Sequence, residues 1–137
     1  MSDWNDFNRK VIEEFRQNGG SVSGAFAGAP MILVTHTGAK SGKEYTTPLV
    51  YSADGDRYVI IASKAGAPDD PQWYRNLVAN PLVTLEVGRE RFAARARTAE
   101  GDERDRLYRA QADLMPNFDE YAKATTRTIP VVVLERA

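Results

Sequence analysis

The stretch MILVTHTGAKSGKEYTTPLVYSADGDRYVIIAS, residues 31–63, decides the fold. Met31 to Thr37, Glu44 to Ala53 and Arg57 to Ser63 are rich in β-branched and aromatic residues, and turn-forming residues separate them. They read as three strands in a meander. Asp54-Gly55, between the second and third, is a direct hairpin signal, because glycine accepts the positive φ that a tight turn between strands requires.

Toward the C-terminus, Asp70-Pro71 places a capping residue before a proline at the first helical position. Asn80-Pro81 supplies a stop, so Pro71 to Ala79 is expected as a short helix. Two strands follow, Leu82 to Gly88 and Arg91 to Thr98. A charged helix from about Asp102 to Leu114 ends before Pro116, and Asn117 with Glu120 resembles a capping box opening another short helix. Ile129 to Glu135 closes the chain as an apolar strand. Toward the N-terminus, Gly19, Gly20, Gly24 and Gly28 mark a glycine-rich loop over residues 19–30. Before it, Trp4, Phe7, Val11, Ile12 and Phe15 fall near one face of a helix from about Asp3 to Gln17, within the N-terminal segment 1–18. That stripe suits docking on the protein's own core, and it could also seat on a membrane surface or a partner.

About six strands against three or four helices, joined mostly by tight turns, argue for an α+β, mainly β fold. The expectation is an antiparallel barrel with helices packed outside, not a doubly wound parallel sheet. With 137 residues the chain suits one domain, 1–137. A formal net charge of −1 gives no general attraction to nucleic acid, so an anionic ligand must be held locally. The start of the chain lacks the basic and apolar segments of a secretory signal, and no apolar run is long enough to span a membrane. A cytoplasmic protein is expected, with membrane association through the N-terminal helix left open.

Zero cysteines and a single histidine remove disulfides, thiol nucleophiles and the usual zinc and haem ligands, so no metal site is expected. His36 lies in a β-rich run and reads as a core or barrel-wall residue. Gly20 to Gly24 carries valine where a nucleophile elbow needs serine. Gly38 to Lys43 is one residue short of a Walker A loop and is flanked by strands on both sides. No Rossmann-type glycine fingerprint follows a strand.

The lysines are unevenly placed. Of five in the chain, Lys40, Lys43 and Lys64 lie in Gly38 to Lys43 and Ser63 to Gly66. Lysine ammonium groups beside the backbone N–H groups of glycine and a serine hydroxyl can cradle phosphate or carboxylate oxygens. Two readings stand on that distribution: one anion site, if the meander joins the segments, or two solvated hairpin ends.

A longer pattern bears on the choice. Thr37-Gly38-Ala39-Lys40-Ser41-Gly42-Lys43, Thr47-Pro48-Leu49-Val50-Tyr51 and Ala62-Ser63-Lys64-Ala65-Gly66-Ala67 are followed by Pro71-x-Trp73-Tyr74-x-Asn76-Leu77-x-Ala79-Asn80-Pro81 and Arg127-x-Ile129-Pro130-Val131-Val132. In this order and spacing, from about Met31 to Glu135, the chain resembles the deazaflavin-dependent nitroreductase family. The resemblance implies a split β-barrel of the flavin-reductase, FMN-binding type, holding coenzyme F-420, an 8-hydroxy-5-deazaflavin with a phosphate and an oligoglutamate tail. It implies cofactor contacts at Ala39, Lys40 and Ser41, at Tyr45, Thr46, Thr47, Pro48, Leu49 and Val50, and at Ala62, Ser63 and Lys64. Further implied contacts are Gln72, Trp73, Tyr74, Arg75 and Asn76, with Phe118. Lys40 and Lys64 would meet the phosphate and tail. Asp69 and Asp70 would repel an anion at the start of the following helix, so Trp73 and Asn76 would line the pocket instead. Trp73 and Arg127 suit structural roles equally.

The implied activity is hydride transfer from the reduced cofactor to an electron-poor small molecule: an enone or lactone, a quinone, or a nitro compound. Substrate is expected at Met115, Phe118 and Tyr121, with Tyr121 first and Ser63 second as the group serving proton transfer. Nitro-reducing family members carry a tyrosine cluster on this segment. Met115 and Phe118 keep an apolar lid and lose two hydroxyls, which favours an apolar acceptor over a nitroimidazole. An FMN-dependent enzyme on the same barrel and a non-catalytic deazaflavin carrier are the alternatives.

Overall fold

The computed structural model describes residues 2–22, 28–66 and 69–137, apart from the side chains of residues 2–6 and 65. Trp4's expected place on the helix stripe, residues 23–27 of the expected loop, and Ala67 lie outside the described residues. Helix α1 (Ser2–Gln17) is followed by β1 (Met31–Thr37), β2 (Glu44–Val50), β3 (Ser52–Asp54) and β4 (Arg57–Ile61). After a 3-10 turn (Lys64–Gly66) come α2 (Gln72–Ala79), β5 (Leu82–Val87), β6 (Glu90–Thr98), α3 (Gly101–Leu114), α4 (Asn117–Ala124) and β7 (Val131–Arg136).

The strands form one sheet in the order β2-β1-β5-β6-β7-β4-β3, every neighbouring pair antiparallel. The sheet therefore has seven strands where six were expected, because the run from Glu44 to Ala53 is two strands. Its first half pairs with β1 and its second half with β4, so one continuous peptide occupies both edges of the sheet. Only Tyr51 stands between them, and its N–H donates to the Pro30 carbonyl at 3.1 Å. One residue reaches only a few ångströms, so the two edges must meet and the sheet must curl into a split barrel. Gly55, at φ 64, opens the two-residue turn between Asp54 and Arg57, as the sequence indicated.

Strands β1, β4 and β7 carry the apolar runs 31–34, 58–61 and 131–134 because both faces are covered there. Ile32, Val34, Ile60, Val132 and Leu134 point into the barrel with Trp73 and Leu77 of α2. Their sequence neighbours Val59, Ile61, Val131 and Val133 point outward beneath Leu107, Tyr108 and Phe118 of α3 and α4. Met31 and Leu33 take Val11 and Phe15 of α1, so that part of the amphipathic stripe is spent on the protein's own core. Among the described residues no helix is long and apolar enough to cross a membrane.

Two helix starts differ from expectation. Pro71 is the N-cap of α2, with φ −68 and ψ 153, and no side chain caps it. The Asp70 carboxylate is drawn instead to Arg127, whose Nη1 lies 2.8 Å away. No capping box forms at α4, whose N-cap is Pro116. Asn117 is already helical, and its amide donates to the Tyr121 hydroxyl at 2.8 Å. At the other end of the meander, β4 stops at Ile61. Ala62 N–H still donates to Pro130 O at 2.9 Å, and Lys64, at φ 46, then turns the chain.

Candidate functional site

The turn after β1, the inner side of β2, the end of β4, and helices α2 and α4 enclose a cavity of about 1470 Å³. The turn is built by Gly38 N–H donating to Lys43 O at 2.7 Å and Gly42 N–H to Gly38 O at 3.1 Å. A Cβ at Gly38 would lie 2.5 Å from Ser41 Oγ, so any larger residue there displaces the Ser41 side chain. This fold brings the two lysine-bearing segments to one site: Lys40 and Lys64 both line the cavity, with Arg75 of α2. Among the described residues no carboxylate lines it. Lys43 lies outside.

The Lys64 ammonium is held 3.3 Å from both oxygens of Asp69, and Arg75 reaches the same carboxylate at 3.8 Å. The Lys64 hydrogen bond, reinforced by its charge and that of Arg75, holds Asp69 below the usual carboxylate range. Arg127 shapes the same corner from behind. Its guanidinium donates to Ser63 O at 2.8 Å, to Ala62 O at 3.2 Å and to Asp70, so it holds the turn that presents Ser63 and Lys64.

The opposite wall is apolar and aromatic. Met115, Phe118 and Tyr121 line it together, with the Phe118 and Tyr121 rings edge to face at 5.2 Å. Tyr108, whose hydroxyl pKa burial pushes up, donates to the Phe118 carbonyl at 2.6 Å and fixes the start of α4. Gly66, at φ 81, lets the 3-10 turn pack directly against Tyr121 and Ala124.

Of the cofactor contacts the sequence implied, Ala39, Ser41, Tyr45, Thr47, Pro48, Leu49, Val50 and Ser63 also line the cavity. Gln72, Trp73 and Asn76 do so from α2. Thr46, Ala62 and Tyr74 do not. Thr46 points away from its neighbours on β2 and bonds Thr35 at 2.8 Å; Ala62 is fully buried; and the Tyr74 hydroxyl meets Thr98 at 3.0 Å.

Sequence reasoning did not place His36, Asn8, Ala29, Ile61 or Asn117 in this wall. His36 was expected to be buried, and it is 4% exposed, but it also borders the cavity. Burial lowers its pKa from 6.5 to about 4, so the ring is neutral. Its Nδ1 lies 3.0 Å from Asn76 Nδ2 and its Nε2 2.9 Å from Thr47 Oγ1. A period-two reading of β1 with Thr47 as a β2 neighbour could have suggested this contact. Asn8 and Ala29 carry no local signal, since only the docking of α1 brings them near.

Residues 7–136 match the model of the F420H(2)-dependent quinone reductase family. The chain belongs to this family. It is accordingly an F-420-dependent oxidoreductase. An F420H(2)-dependent quinone reductase of Mycobacterium tuberculosis is 42% identical over 126 residues, covering 89% of this chain and 85% of that protein. The solved structure of an F420-H2 dependent reductase, FDR-A, superposes with a TM-score of 0.72 at 39% identity, covering 77% of this chain and 94% of its own. Another solved chain, described as a domain-swapped dimer, gives 0.74 at 35% identity and covers 98% of both. The cavity of this family member suits a deazaflavin with an anionic tail, because three cations line one end, with Asp69 behind two of them, and that end is continuous with a largely apolar wall.

Proposed function

We propose that this protein reduces quinones with reduced F-420, binding the cofactor along the cavity from the Lys40, Lys64 and Arg75 end toward β2. The supporting observation is the continuity of one cavity from the Lys40, Lys64 and Arg75 end, where Asp69 pairs with Lys64 and Arg75 from outside the lining, to the Met115, Phe118 and Tyr121 wall. When bound, the reduced deazaflavin supplies a hydride from ring carbon C5. In this reading the three cations hold the phosphate and oligoglutamate tail as point charges, and Ser63 offers a hydroxyl at the ring side of Lys64. Leu49 and Val50 present an apolar surface to the ring.

Met115 and Phe118 exclude water from the acceptor and favour a flat, apolar one, for which a quinone is the best match. Activated enones and lactones fit the same wall. Nitro compounds fit less well, since two positions of the family's tyrosine cluster lack hydroxyls. Tyr121 is assigned the proton-donating contact. Asn117 donates to the Tyr121 oxygen at 2.8 Å, which leaves the phenolic hydrogen free to face the acceptor.

Titrating F-420 and FMN separately into the protein while following cofactor fluorescence tests the cofactor. Menadione turnover with reduced F-420 tests the acceptor. Tight F-420 binding with menadione reduction is expected; FMN binding without F-420 binding overturns the proposal, and F-420 binding with no turnover on any quinone reduces it to a carrier.

A further inference from the structure

Asn76, His36 and Thr47 form a hydrogen-bonded chain whose polarity can be assigned from its ends. Ala39 N–H, which can only donate, points at Asn76 Oδ1 at 3.0 Å. Arg75 donates to Gln72 Oε1 at 3.4 Å, which leaves Gln72 Nε2 as the donor to the same Asn76 Oδ1 at 3.2 Å. With its oxygen fixed by two donors, Asn76 must present Nδ2 to His36 Nδ1, 3.0 Å away. Nδ1 is then the acceptor, so the neutral ring carries its hydrogen on Nε2. Nε2–H donates to Thr47 Oγ1 at 2.9 Å. That occupies one lone pair of the hydroxyl and leaves its own hydrogen without a protein acceptor among the described residues, on a residue that lines the cavity.

We propose that Asn76 and His36 are positioning residues that fix the Thr47 hydroxyl as a hydrogen-bond donor to an acceptor atom, a carbonyl oxygen or imine nitrogen, on the ring of the bound cofactor. The assignment rests on the functional reading above. It also ties the lysine-bearing turn to β2, since the chain starts at Ala39 and ends at Thr47 in the cavity wall. A buried, neutral imidazole suits this task because its two nitrogens have opposite hydrogen-bonding roles, and the partner of one dictates the role of the other.

The polarity is reversible by one substitution. Asn76→Asp keeps an oxygen for Ala39 N–H but removes the amide donor; at a pH high enough to keep the ring neutral beside the new carboxylate, His36 turns its hydrogen to Nδ1 and accepts at Nε2 from the Thr47 hydroxyl. Thr47 then offers the cavity lone pairs only.

Nitrogen-15 NMR of His36 in the free protein is expected to show the Nε2–H tautomer, and in Asn76→Asp the Nδ1–H form. Fluorescence titration with F-420 is expected to show a loss of about 3- to 10-fold in affinity for Thr47→Val, recovered in Thr47→Ser, and a loss for Asn76→Asp. Adding Thr47→Val to Asn76→Asp is expected to cost nothing further, whereas a loss caused only by the new charge would multiply with the Thr47 effect. An Nδ1–H tautomer in the unsubstituted protein, full affinity in Thr47→Val, or multiplicative losses overturns the donor assignment while leaving the functional reading in place. Failure of the unsubstituted protein to bind F-420 at all overturns both, and the tautomer measured without cofactor tells the two failures apart.

Discussion

Lys64 carries a charge and a backbone cost at the same position. Its φ of 46 lies in the left-handed region, where a side chain costs about 1 kcal/mol that glycine avoids. Lys64→Gly should therefore leave thermal stability unchanged or slightly raised while F-420 affinity falls about tenfold, the scale of a lost charge-assisted hydrogen bond. A parallel melting curve and cofactor titration check this, and a variant that lost stability and affinity together would place Lys64 in the fold and not in the site. His36 makes a different prediction. Its folded pKa of about 4 lies below the ordinary 6.5, so between these values the unfolded chain binds the proton more readily. The contribution of the neutral ring is present above pH 6.5 and is lost as the pH falls to about 4, roughly 3 kcal/mol at most. Denaturant titrations across that interval should show stability falling with acidification, with a flatter dependence in His36→Gln.

Helix α4 carries the apolar wall, and its position depends on two contacts from other elements. Tyr108 of α3 donates to the Phe118 carbonyl, and Gly66 of the 3-10 turn lies beneath Tyr121. A Cβ at Gly66 would approach Tyr121 O to 2.9 Å and Ala124 Cβ to 2.8 Å, at a φ of 81 that an L side chain resists. Gly66→Ala is expected to destabilise by about 1–2 kcal/mol and to shift α4 outward. Because the lysines stay in place, the KM for menadione should rise more than the Kd for F-420; equal effects on both would show that α4 is not the acceptor wall. The places of the strands were legible in the sequence because β1, β4 and β7 contain apolar runs and Asp54-Gly55 marks a turn. The division of Glu44 to Ala53 was not. Its one β-breaking residue, Pro48, lies inside β2 and not at the split; the split arises because Tyr51 leaves one ladder and its successor joins another, a choice made by partners distant in sequence.

Across the whole molecule, a net charge of −1 coexists with a cavity whose described lining includes three cations and no carboxylate, Asp69 pairing with two of the cations from outside it. Affinity for a polyanion is thus local, and it should weaken as salt shortens the range of charge interaction from about 10 Å at 0.1 M to about 3 Å at 1 M. F-420 titrations over that range should show a steady loss of affinity, and a salt-independent Kd would argue against the cations as tail contacts. The exposed ion pairs elsewhere, such as Arg109 with Asp119 at 2.9 Å, add little to stability. The amino-acid sequence by itself determined the barrel, the helices and the family, because alternation of apolar residues, turn chemistry and an ordered set of motifs are local properties. It also marked both lysine segments and the Met115, Phe118 and Tyr121 wall. Only the tertiary structure decided that the lysine segments share one cavity, that Lys43 stays outside its described lining, and that Asn76 meets His36 across forty residues. Those facts depend on how the curled sheet brings its edges together, and a hydrogen bond between distant residues leaves no periodic trace in either segment.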